Sequence, residues 1–75
     1  MRELHEFYDA YLKYQAKHEM RLHTVCCNPT YELQIKHFKS INDVRIVCSI
    51  TAESQEDMYR RAKRALTDYF EGRRY

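Results

Sequence analysis

Two stretches of this chain alternate apolar and polar residues, and a short polar connection joins them. The first is Tyr31-Glu32-Leu33-Gln34-Ile35-Lys36 and the second is Val44-Arg45-Ile46-Val47-Cys48-Ser49-Ile50. Side chains along a strand point to opposite faces in turn, so each stretch reads as a half-buried strand. Lys39-Ser40-Ile41-Asn42-Asp43 between them is of hairpin length, which makes the pair antiparallel. An isolated hairpin is marginal in water and needs a second layer over its apolar face. Val44, Ile46, Cys48 and Ile50 are expected on the covered face, with Val47 interrupting the polar outer face.

The flanking segments supply that layer. Leu4, Phe7, Tyr8, Tyr11, Tyr14, His18 and Leu22 recur at helical spacing, which predicts one amphipathic helix from about Glu3 to His23. Near the other end, Met58, Ala62, Ala65, Leu66, Tyr69 and Phe70 form the apolar face of a second helix. Ser54 with Asp57 three residues later resembles a capping box at its start, and Gly72 is a natural stop. Thr24-Val25-Cys26-Cys27 is β-prone but short, and Asn28-Pro29-Thr30 reads as a turn. The expected fold is α+β: a two-layer sandwich with two helices on one face of a small antiparallel sheet. The order is α-β-β-β-α with a short first strand, and residues 1–75 make one domain.

The net charge is +2, with both signs spread along the chain, which is not the profile of a dedicated polyanion binder. No apolar run approaches the length of a membrane span, and Met1 to Glu6 lacks the apolar region of a signal peptide. No membrane partner is therefore expected, and a cytoplasmic location is, with the three cysteines reduced. His23, Cys26, Cys27, His37 and Cys48 lack the spacing of a structural zinc site, so no metal or other cofactor is expected. Cys48 and one of Cys26 and Cys27 read as small buried hydrophobes. The lone glycine, Gly72, leaves no glycine-rich turn to cradle an oxyanion or phosphate, and the chain is not expected to be an enzyme.

Ten aromatic residues, seven of them tyrosine, are a large number for 75 residues to bury. Tyrosine tolerates a half-wet surface because its hydroxyl needs a polar partner. The flanks of the first helix are therefore expected to touch a protein partner through Tyr8, Tyr11, Leu12, Tyr14 and His18. Arg45 and Val47 would add a contact along the third strand, which carries one charge and no proline to guard an exposed edge. The function expected from these features is a small non-enzymatic protein-interaction module that binds and blocks a larger macromolecule. Its size suits the inhibitors and adaptors encoded by phages and mobile elements. One alternative is a nucleic-acid-binding domain using Arg60, Lys63 and Arg64 of the second helix with Arg73 and Arg74 behind it. Another is a structural homodimer that consumes the aromatic surplus.

The helix–strands–helix order is similar to that of double-stranded RNA-binding domains. That family begins its last helix with a basic segment rich in Gly and Lys. Here Thr51-Ala52-Glu53-Ser54-Gln55-Glu56-Asp57 is acidic, and carboxylates at a helix N-terminus repel phosphate. The resemblance is one of element order and does not extend to the residues that would bind RNA.

Overall fold

A computed structural model describes residues 1–27 and 29–72, with the backbone alone for Cys26 and Cys27. The elements run α1 (Arg2–Gln15), β1 (Met20–Cys27), β2 (Thr30–Ser40), β3 (Asp43–Ala52) and α2 (Gln55–Thr67), and α2 continues into a π-helical turn (Asp68–Gly72). The sheet is antiparallel with order β1-β2-β3, so β1 and β3 are its two edges. This is the expected α+β order, with β1 the shortest strand.

Helix α1 stops well before His23, the expected end. Its last turn closes where the Lys17 and His18 amides both donate to the Tyr14 carbonyl at 3.0 Å. Two periodicities overlap beyond that point. His18 and Leu22 continue the helical stripe, but Met20, Leu22 and Thr24 also alternate as a strand. The strand wins because β2 would otherwise leave one side of its ladder unpaired, and buried backbone groups must find partners. Met20 and Leu22 then sit opposite His37 and Ile35 on the inner face.

Helix α2 starts as the sequence suggests, with the Asp57 amide donating to Ser54 Oγ at 3.2 Å. Glu56 and Asp57 lie in its first turn, where the helix dipole favours negative charge. Ser54→Ala removes this cap and is expected to cost about 1 kcal/mol. In a domain this size that lowers the melting midpoint by about 4–8 °C, measurable by circular dichroism.

Helix α2 crosses β3 and β2, and α1 packs beside it. Phe7, Leu33, Ile35, Met58 and Leu66 are fully buried between helices and sheet. Tyr11, Met20, Val47, Cys48, Ala52, Tyr59 and Ala62 complete the core. Burial pushes the Cys48 thiol up to about 11, so it stays protonated and serves as packing.

The pairing of β2 with β3 is not uniform. Ile35 faces Cys48, but the next residue, Lys36, faces Ile46, so Val47 is an extra residue on β3. This β-bulge moves Ile46 from the position opposite His37 to the position opposite Lys36. The expected arrangement is thereby reversed on this half of the strand. Val47 turns inward and is 9% exposed, whereas Val44 and Ile46 turn outward at 45% and 52%.

Strand length explains why the hairpin end is bare. The 14 residues of α1 span about 21 Å, while the 11 residues of β2 reach up to about 36 Å. The distal part of the β2–β3 hairpin overhangs the helices, and no residue from Phe38 to Ile46 is buried.

Candidate functional site

The helix α1 tyrosines are largely committed to internal packing. Tyr11 is buried, and burial raises its hydroxyl pKa. Tyr8 is half-buried, its ring 5.2 Å from Phe7 and 6.3 Å from Tyr59 in the seam between the helices. Leu12 remains exposed at 58%, on the helix flank. Of the residues expected to meet a partner, Tyr11 and Val47 are thus core residues, and Tyr8 helps join the two helices.

The other expected residues gather at the end of the molecule where α1 finishes. Tyr14, Phe70 and His18 form a ring stack, with centroids 4.7 Å apart for Tyr14–Phe70 and 4.5 Å for Phe70–His18. The π-helical turn presents Tyr69 and Phe70 together, so Phe70 joins the stack while the Tyr69 hydroxyl lies 3.0 Å from His37 Nδ1. The two histidine rings meet edge to face at 5.1 Å. The Tyr14 hydroxyl donates to Glu71 Oε2, which also attracts Lys13 Nζ at 3.9 Å. That hydrogen bond, with burial behind it, raises the Tyr14 pKa to about 12.

His18, His37, Tyr69 and Phe70 line a cleft of about 620 Å³, which Phe38 also borders. Lys17, Lys39 and Arg45 stand around it with a single carboxylate, Glu19. Arg45 belongs here because the bulge places it opposite His37, on the inner side of the sheet. It also pairs with Asp43, at 3.2 Å. His37 and Tyr69 are site residues that the sequence did not single out for this role. The alternation of β2 places His37 inward after Leu33 and Ile35, which was the available signal.

Burial lowers the His37 pKa, with His18, Lys39 and Arg45 adding to the shift and Asp43 opposing it. Below the unfolded value of about 6.5, the unfolded chain therefore binds more protons than the folded one. The associated stability is fully present above that value and is lost as pH falls through it toward the folded pKa. Thermal melts between about pH 7.5 and pH 5 should fall more steeply for the native chain than for His37→Gln, which cannot titrate there. Parallel curves would exclude this role for His37.

A second exposed region lies on the hairpin. Ile41 at its tip is 95% exposed, and Val44 and Ile46 project from the outer face with half-buried Phe38 opposite Val44. The Arg21 guanidinium sits 5.5 Å over the Phe38 ring.

The basic face of α2 is interleaved with acids. Arg60 and Arg61 both pair with Asp57, the latter at 2.9 Å, and Lys63 reaches Glu6 of α1 at 3.5 Å. Arg60, Lys63 and Arg64 line a groove of about 360 Å³ with Arg2, and share it with Glu3, Glu6 and Asp68. Its mixed charge offers little to a phosphate backbone. Arg73 and Arg74 lie outside the described residues, as do the side chains of Cys26 and Cys27. Among the described residues no group of three or more His, Cys, Asp or Glu could hold a metal ion, and no helix is long and apolar enough to cross a membrane. Compared with known protein families, curated proteins and solved structures, the chain matches none of them.

Proposed function

We propose that this chain is a small protein-interaction module that binds through the outer face and tip of the overhanging β2–β3 hairpin. The observation that carries this reading is the bulge at Val47, which turns Val44 and Ile46 out to solvent beside Phe38 and Ile41. The alternation of the strand would otherwise have buried them. Contiguous apolar surface on a small domain marks an interaction site. β3 is also a sheet edge, with backbone groups open to pairing with a partner strand. The expected action is that of an inhibitor or adaptor, which occupies a surface on a larger protein and performs no chemistry.

The test is a Val44→Glu, Ile46→Glu double variant. Both side chains are exposed, so the melting midpoint should move little. Removal of two central apolar contacts should weaken partner binding by about 2 kcal/mol or more, a loss of about 30-fold. The readout is recovery of a partner from source-cell lysate, with light scattering of the pure chain alongside. Recovery of the same partner by both proteins would sink the assignment of this surface. A dimer of the native chain that the double variant lacks would transfer the surface to self-association.

A further inference from the structure

The cleft at the opposite side of the hairpin has a different chemistry from the docking face. Its walls are rings and its rim is cationic. Lys17, Lys39 and Arg45 line it with Glu19, and Arg45 is also paired with Asp43, which leaves the two lysines as the larger cationic share of a chain that carries only +2. The Tyr14–Phe70–His18 stack ends at His18, which lines this cleft. A planar ring entering beside His18 would extend the stack. The hydrogen-bonded His37–Tyr69 pair forms the floor and offers polar groups at the base. Lys17 and Lys39 line the same cleft, with Arg45 shared between it and Asp43, and these are the cations that an anionic substituent on that ring would meet. Small-molecule sites occupy about 300–1,000 Å³, and a space of about 620 Å³ takes a bicyclic or sugar-bearing ligand as readily as a bare aromatic acid.

The geometry points to a binding site for a nucleobase carrying a phosphate, with the base against His18 and the phosphate among Lys17, Lys39 and Arg45. Every base has a ring face, so stacking of this kind tolerates sequence, while the lysines and the arginine supply the sequence-independent attraction. The same chemistry is found in a free nucleotide and in a nucleotide of a single strand. This inference is independent of the docking reading: Phe38 borders both surfaces, but neither Val44 nor Ile46 lines the cleft, so the double variant that tests the docking face leaves it in place.

The experiment is a titration of isotope-labelled protein with adenosine monophosphate and, separately, with an oligonucleotide of eight thymidines. It is followed by amide chemical shifts, with ribose 5-phosphate and a poly-glutamate peptide as controls. Saturable shifts are expected at Lys17, His18, His37, Lys39 and Arg45. His18→Ala should weaken binding by about five- to 150-fold, the span of one base–aromatic stack. Lys17→Glu with Lys39→Glu leaves every ring in place and should weaken it by at least about tenfold. It should also flatten the salt dependence. Equal affinity for the mononucleotide and the oligonucleotide identifies a free nucleotide as ligand; markedly tighter binding of the oligonucleotide identifies a strand. Ribose 5-phosphate or poly-glutamate binding as tightly as either probe would overturn the proposal, since the cleft would then read charge without a base. Shifts confined to the hairpin tip, or none at millimolar ligand, would also overturn it.

Discussion

Phe7→Ala is expected to lower the melting midpoint by at least about 12 °C. Phe7 is fully buried, and its ring lies 5.9 Å from Tyr11 and 5.5 Å from Tyr59, so it joins α1 to α2. Removing a buried phenylalanine costs about 3–5 kcal/mol, because the transfer free energy is lost and the cavity left behind collapses only in part. A domain of this length has a total stability of only about 4–11 kcal/mol. Each kcal/mol shifts its midpoint by about 4–8 °C, so the expected fall is at least about 12 °C. Far-ultraviolet circular dichroism on heating measures it. Phe7→Leu keeps an apolar branch in the slot and should recover much of the loss. A midpoint within a few degrees of the native value for the alanine variant would contradict the packing described here.

Val47→Asp and Ile46→Asp form the second and more discriminating comparison. They place the same charge at neighbouring positions of one strand. The bulge makes Val47 a core residue and Ile46 a surface residue. Aspartate at position 47 forfeits about 1.5–3 kcal/mol of buried valine. It must also bury a carboxyl at a position only 9% exposed, which adds several kcal/mol or forces the acid to stay protonated. Ile46→Asp faces water beside Lys36 and should change stability by no more than about 0.5 kcal/mol. Denaturant or thermal unfolding of the two variants separates the registers. The regular ladder read from alternation alone predicts the reverse order, with position 46 the intolerant one.

Patterns local to one segment are legible in this sequence, and features set by what lies across the sheet are not. Helical spacing identified Phe7, Met58, Ala62 and Leu66 as core, and strand alternation identified Leu33 and Ile35, because each of these patterns is local. Ser54 was legible as a cap for the same reason. A bulge is not local: it depends on what lies across the ladder and on the inner face. Here the inner position opposite His37 adjoins the packed rings of Tyr69 and Phe70, and Arg45, not Ile46, occupies it. The helical stripe would carry α1 on to His23 because Leu22 satisfies both the helical and the strand period, and only the unpaired side of β2 decides between them. Tyr8 and Tyr59 meet in the seam because α1 and α2 lie side by side, a pairing of distant segments that no local pattern reveals. His18 and Tyr14 were drawn from the helical stripe, but the cleft they help form needs the π-helical turn from the far end of the chain.

The overhang of the hairpin divides the molecule into two regimes of local opening. Leu33, Ile35 and Cys48 are buried in strands that α2 covers, and hydrogen exchange of their amides requires disruption of the core. No residue between Phe38 and Ile46 is buried, and these amides can exchange by fraying of the hairpin alone, with the rest of the fold intact. A partner seated on the hairpin would close the second route while barely altering the first. The slow-exchanging amides would then report the stability of the fold, and the fast-exchanging ones the occupancy of its bare end.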